Sequence, residues 1–182
     1  MSKYPLLKSN EFRKAQKISS HDLVFIYGGN LGKPQGMNKI LNFIKYIESK
    51  KSIHFIICGQ GTESDLIKKF IKKHKIVQTR LFTNLSKQEY LQIVKESNIG
   101  LVFLHNSFSI PNYPSRILDY MYYKLPVLSW TDKVSDVGDI FKSNNAGFSF
   151  KSANSFGDIK SLIDKIDFNQ VKIMGENSHK IL

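Results

Sequence analysis

Leu23-Val24-Phe25-Ile26-Tyr27-Gly28-Gly29-Asn30-Leu31-Gly32-Lys33-Pro34-Gln35-Gly36 sets an apolar run of strand length directly against a glycine-rich loop. The residues that follow, 37–49, place Ile40, Leu41, Ile44 and Ile47 at helical spacing. Strand, loop and helix in that order open a β-α-β unit, because parallel strands need a crossover long enough to carry a helix. The rest of the chain repeats the pattern. Runs at 53–57, 77–82, 99–104, 126–130 and 147–150 are strand-length and do not alternate polar with apolar residues, as strands covered on both faces do not. Helical spacing returns at 64–74, 87–96, 115–123 and 156–166, and residues 175–182 read as a terminal helix. The expected fold is α/β, a doubly wound parallel β-sheet of Rossmann-like type over residues 21–182. Residues 1–20, polar and lysine-rich, read as a leader packed on the domain or a severed interdomain linker.

The 182 residues, 41% hydrophobic and 23% charged, fit one globular domain able to bury a core without disulfides or structural metal. Cys58 is the only cysteine, which excludes an internal disulfide and a cysteine-rich zinc site. No run approaches the ~18 apolar residues of a membrane span, and residues 1–5 lack the apolar stretch of a signal peptide, so a cytoplasmic protein is expected. The net charge is +12, yet Arg13, Arg80 and Arg116 are the only arginines among 27 basic residues. Lysine is a hydrated point charge and arginine the planar fork that reads bases, so no nucleic-acid partner is expected. The run from Lys68 to Lys75 reads as a solvated helix face. An anionic membrane surface is the polyanion this charge fits, with the protein peripheral on the inner face of the plasma membrane.

In a doubly wound sheet ligands sit beyond the carboxyl ends of the strands, so the post-strand loops hold the candidate residues. The loop Gly28–Gly36 carries four glycines and leads into a helix, which lets backbone amides approach an anion, although it matches neither G-x-G-x-x-G nor G-x-x-x-x-G-K-[ST]. Cys58-Gly59-Gln60-Gly61-Thr62 repeats the idea after the second strand, with Thr62 as N-cap and Asp65 completing a capping box. Cys58 itself reads as a small core residue at a strand end. In the third region Pro114 and Ser115 start a helix, so the first-turn amides, the Ser115 hydroxyl and the Arg116 guanidinium are placed for phosphate oxygens. Asp119, four residues after Ser115, shares that helical face, where a carboxylate accepts hydrogen bonds from a ribose diol or complements the helix dipole. His105 ends the fourth strand and reads as a packing histidine. Asp132 and Asp136 are too far apart to form a D-x-D metal site, and no metal is expected.

The succession of residues 27–36, Ile-Cys-Gly-Gln-Gly-Thr-Glu (57–63), Leu-Phe-Thr-Asn-Leu-Ser-Lys-Gln-Glu-Tyr (81–90) and Pro-Ser-Arg-Ile-Leu-Asp-Tyr-Met-Tyr-Tyr-Lys-Leu-Pro-Val-Leu (114–128) resembles the C-terminal, donor-binding domain of retaining family-four, or group 1, glycosyltransferases of GT-B fold. Members that build bacterial capsule or O-antigen polysaccharide are the most similar. The resemblance implies transfer of a hexosyl or N-acetylhexosaminyl group from a nucleotide-sugar, a UDP-sugar first, to a lipid-linked or cell-surface acceptor, with no cofactor. It assigns Gly28, Gly29, Asn30, Gly32, Lys33, Gly59, Gly61, Ser115 and Arg116 to the donor diphosphate, and Asp119 to the ribose. Phe82, Thr83, Asn84 and Leu85 fall near the base. Three departures stand out. Asn30 and Gln35 occupy positions where relatives carry arginine and lysine, leaving Lys33 and Arg116 as replacements. Pro111 falls near the first acid of the family's E-x7-E signature, with Asp119 at the second. The acceptor-binding half of such an enzyme is a further domain or subunit, without which this half is expected to be inactive; the alternative is a non-catalytic module that binds nucleotide-sugars or a partner.

Overall fold

The computed structural model describes residues 10–105, 113–152 and 154–182. Six strands, β1 (Leu23–Gly28), β2 (Ile53–Cys58), β3 (Thr79–Phe82), β4 (Ile99–Phe103), β5 (Val127–Trp130) and β6 (Gly147–Phe150), form one sheet in the order β3-β2-β1-β4-β5-β6. Every pairing is parallel. Strand order reverses between β1 and β4, which leaves a crevice beyond the carboxyl ends of these two strands.

The helices are α1 (Glu11–Ala15), α2 (Met37–Glu48), α3 (Ser64–Lys73), α4 (Lys87–Lys95), α5 (Arg116–Tyr122), α6 (Val137–Ser143), α7 (Phe156–Asp164) and α8 (Phe168–Lys180). They lie on both faces of the sheet, and alternate side chains of β1 enter separate cores. Phe25 and Tyr27 join Phe43, Ile40, Ile47, Phe55 and Phe103 on one face. Val24 and Ile26 join Val94, Ile117, Tyr120 and Phe141 on the other. Phe43 of α2 is the hub of the first core, with edge-to-face contacts to Phe25, Phe55 and Phe103 at centroid distances of 5.3, 5.0 and 5.6 Å.

Residues 10–22 are tied to the body of the domain chiefly through the buried Arg13 side chain. Arg13 donates to the Glu96, Ser19 and Asp22 carbonyls and to Asn98 Oδ1, while the Arg13 amide donates to the Glu96 carboxylate at 2.8 Å. α3 corrects the expected capping box. The helix starts at Ser64, Glu63 is its N-cap and makes no side-chain cap bond. The Glu63 amide instead donates to the Leu31 carbonyl at 2.9 Å, so the chain is still tied to the first loop at the point where the helix was expected to be under way. The capping box belongs to α4, where Ser86 accepts from the Glu89 amide and Glu89 reaches back to the Ser86 amide. Lys68, Lys69, Lys72 and Lys73 are exposed on α3, the solvated face expected. Among the described residues no helix is long and apolar enough to cross a membrane.

Candidate functional site

At the reversal of strand order the loops after β1, β2 and β3 and the start of α5 enclose a cleft of ≈ 490 Å³. Gly29 and Asn30 come from the first loop, Gly59 and Gln60 from the second, Asn84, Leu85, Ser86 and Lys87 from the third, and Ser115, Arg116 and Asp119 from α5. Cys58 and Tyr90 complete the lining.

The first two loops run alongside each other past the ends of their strands. Gly29 donates to the Cys58 carbonyl and Leu31 to the Gln60 carbonyl, both at 2.8 Å. Gly59 makes this approach possible: a Cβ there would lie 1.8 Å from the Gly29 carbonyl oxygen. Gly29 has φ +121°, and a Cβ there would meet an Arg116 nitrogen at 2.6 Å. Both glycines serve backbone contact, and that contact is what brings two strand ends to one cleft.

Arg116 is buried. Its guanidinium stacks 4.5 Å from the centroid of the Tyr27 ring. One Nη donates to the Gly28 carbonyl at 2.6 Å and the other to Gln35 Oε1 at 3.0 Å, while Nε has no partner. Gln35 also accepts from the Tyr27 hydroxyl at 2.9 Å. Arg116 therefore holds the first loop from beneath while one edge lines the cleft. Tyr120, one turn on, supports the same loop: its hydroxyl accepts from the Gly28 amide at 2.9 Å.

Asp119 is buried, and its Oδ2 accepts from Lys87 Nζ at 2.8 Å. Ser115 is exposed and its side chain caps nothing, which leaves the hydroxyl open to the cleft. Tyr90 presses its ring against Gly28, and its hydroxyl is buried without a partner. Cys58 sits at the floor, where burial pushes its thiol up to about 12, so it stays protonated and serves as core.

Of the residues assigned from sequence, Gly29, Asn30, Gly59, Ser115, Arg116, Asp119, Asn84 and Leu85 line this cleft. Gly28 lies directly behind it. Gly32, exposed Lys33, Gly61, Phe82 and Thr83 are not in its lining. Thr83 and Gly61 face a neighbouring depression, and Phe82 packs on Phe12 at a centroid distance of 5.7 Å. Pro111 lies outside the described residues. Asp132 spends its Oδ1 on the Val134 and Ser135 amides, and among the described residues no group of three His, Cys, Asp or Glu side chains is placed to hold a metal ion. Lys87 and Tyr90 were missed, although the S-x-x-E signature at 86–89 already fixed where their helix begins.

The family profile described as "Glycosyl transferases group 1" matches residues 8–179. This chain belongs to the group 1 glycosyltransferases. The "Probable glycosyltransferase WbjE" of Pseudomonas aeruginosa is 26% identical over 125 residues, 69% of this chain and 31% of that protein. Chitobiosyldiphosphodolichol beta-mannosyltransferase of Dictyostelium discoideum is 30% identical over 105 residues, 57% of this chain and 21% of its own length. The chain thus spans less than a third of either curated relative. The C-terminal domain of a group 1 glycosyltransferase (LpcC) from Francisella tularensis superposes with a TM-score of 0.71 at 16% identity, covering 98% of this chain and 92% of that one. Anabaena Alr3699/HepE, solved in complex with UDP-glucose, gives 0.71 at 13% identity, over 94% of this chain and 46% of its own. These likenesses establish the Rossmann-like half-domain fold of GT-B relatives.

Proposed function

We propose that this domain binds the donor of a retaining glycosyltransferase, a nucleotide-sugar with UDP as the nucleotide, and completes its active site against an acceptor-binding half. The observation that carries the reading is the convergence of three loops and the start of α5 on one cleft at the strand reversal, with a buried carboxylate on one wall. The volume falls in the ~300–1,000 Å³ range of small-molecule sites. In this reading Asn84 and Leu85 border the base, Asp119 takes the ribose diol, and Gly29, Asn30, Gly59 and Ser115 border the diphosphate.

Transfer breaks the bond between the anomeric carbon and a phosphate oxygen, and the nucleoside diphosphate departs with the charge. Donors fixed in place before the reaction stabilise that charge without reorganising. The Arg116 grip on Gly28 and the ladder between the first two loops provide this rigidity. The UDP-glucose bound to the Anabaena neighbour and the dolichol-linked acceptor in the name of the Dictyostelium relative support this chemical class. The exposed lysines of α3 suit an anionic bilayer carrying such an acceptor, and co-sedimentation with anionic vesicles at low salt tests that part.

Calorimetric titration with UDP, with GDP as the base control, tests the donor reading. Saturable UDP binding that Asp119→Ala weakens is expected. Failure of UDP and GDP alike to bind, with no amide resonance moving at residues 28–30 or 115–119, refutes it.

A further inference from the structure

The cleft faces a charge problem that the expected replacements meet only in part. A donor diphosphate brings two or more negative charges beside the buried Asp119 carboxylate. Lys33 is outside the lining, and Arg116, with one N–H of each Nη spent on Gly28 and Gln35, is held beneath the first loop and presents only its remaining edge to the cleft. Among the described residues, Lys87 is the other cation of the lining.

Lys87 occupies the first position of α4, directly after the Ser86 cap. A cation at a helix N-terminus opposes the helix dipole, so local helix energetics do not favour lysine there. Its Nζ reaches 2.8 Å from Asp119 Oδ2, with side-chain exposures of 63% for Lys87 and 10% for Asp119. A long, mostly exposed side chain thus reaches one oxygen of a nearly buried carboxylate that lines the cleft. A ribose diol binding to Asp119 competes for that oxygen. An ammonium group has three donors on a flexible stem, so Lys87 can keep one on the carboxylate while turning another to phosphate oxygen.

We propose that Lys87 is the diphosphate-recognising cation of this site, shielding Asp119 in the empty cleft and shared between Asp119 and the donor diphosphate when it is filled. The inference rests on the donor reading and adds the residue that discriminates a nucleoside diphosphate from its nucleoside. It places charge recognition on α4, across the cleft from the first loop, where Asn30 and Gln35 supply none.

The test compares UDP with uridine as calorimetric ligands for wild type, Lys87→Met and Lys87→Arg, with circular dichroism as the check on folding. The exposed position of Lys87 lets both variants fold. Loss of a charge-assisted bond to phosphate is expected to weaken UDP binding by about tenfold or more in Lys87→Met. Uridine affinity should stay within about threefold of wild type, since the nucleoside carries no phosphate for the lost charge to meet. Lys87→Arg, keeping the charge, should recover most of the UDP affinity. Equal loss for UDP and uridine, no loss for UDP, or loss that arginine does not recover would each overturn the proposal while leaving the donor reading intact. Binding of neither ligand by wild type would refute the donor reading and this assignment with it.

Discussion

Lys39 places an ammonium group inside the first core, and its titration is open to direct measurement. The residue is buried on α2, where Nζ donates to the Leu104 and Trp130 carbonyls at 2.7 and 3.1 Å and lies 5.1 Å from the centroid of the Trp130 ring. Loss of hydration lowers its pKa from 10.5 to about 8, with nearby Asp132 opposing in part. Below the folded value the ammonium is charged in both the folded and unfolded chains, and the folded state bears the full cost of burying it. As pH rises from about 8 toward the unfolded value of ~10.4 the folded chain releases its proton first, so stability increases with pH across that window. At ~1.36 kcal/mol per unit, the increase from this one group between about pH 7 and about pH 10 is on the order of 2 to 3 kcal/mol.

Urea unfolding of wild type and Lys39→Met at those two pH values isolates the effect. Other groups shift the curves too, including Tyr27 and Tyr120, whose hydroxyls burial pushes up so that they resist ionisation in the folded state. Both proteins share those groups, and the difference between the two pH responses removes them. With an m-value of about 2 kcal/mol per molar, the wild-type midpoint should rise by about 1 M more than that of Lys39→Met. Parallel responses would refute the reasoning, because they would mean that the ammonium stays hydrated or that its carbonyl contacts outweigh its burial.

Gly59→Ala forces a Cβ to 1.8 Å from the Gly29 carbonyl oxygen, so the first two loops must part; a loss of about 2 to 3 kcal/mol in urea unfolding is expected, together with loss of UDP binding. Unchanged values for both would show that the loop pairing is not needed. Burial lowers the His54 pKa, although its Nε2 lies 3.0 Å from Asp22 Oδ2 and opposes the shift. The unfolded chain then binds a proton first as pH falls below about 6.5, and stability should drop by up to ~1.4 kcal/mol per unit until the folded ring is protonated, a slope that His54→Gln removes. Phe43→Ala empties the hub of the first core and should cost about 3 to 5 kcal/mol by the same unfolding assay.

The fold was legible because burial on two faces leaves a direct mark on composition. Val24, Phe25, Ile26 and Tyr27 are consecutive and all buried, with alternate members in opposite cores, as a strand covered on both faces requires. Glycines were legible for a similar reason: Gly29 and Gly59 are where backbone meets backbone or guanidinium. Side-chain direction was not legible. Arg116 and Lys33 looked equivalent as cations near the first loop, but Arg116 turns under the loop to Gly28 and Gln35 while Lys33 faces solvent. Nothing local distinguishes them, since the partners of Arg116 lie 88 and 81 residues away.

Lys39 and Lys87 both fall beyond this boundary. Lys39 lies four residues before Phe43 and so shares its face of α2, but the stripe legible in the sequence runs through Ile40, Leu41, Ile44 and Ile47, and the carbonyl partners of Lys39 at the ends of β4 and β5 left no local mark. Lys87 interrupts no stripe and follows an ordinary cap. Its meaning comes from Asp119, 32 residues on, which α5 delivers to the same cleft. A helical period reports which face of a helix is buried, and the order of strands reports where loops converge. Which charge meets which within that convergence depends on side-chain reach across a gap that neither pattern encodes, so it was the pairing of Lys87 with Asp119, rather than either residue's presence, that required the structure.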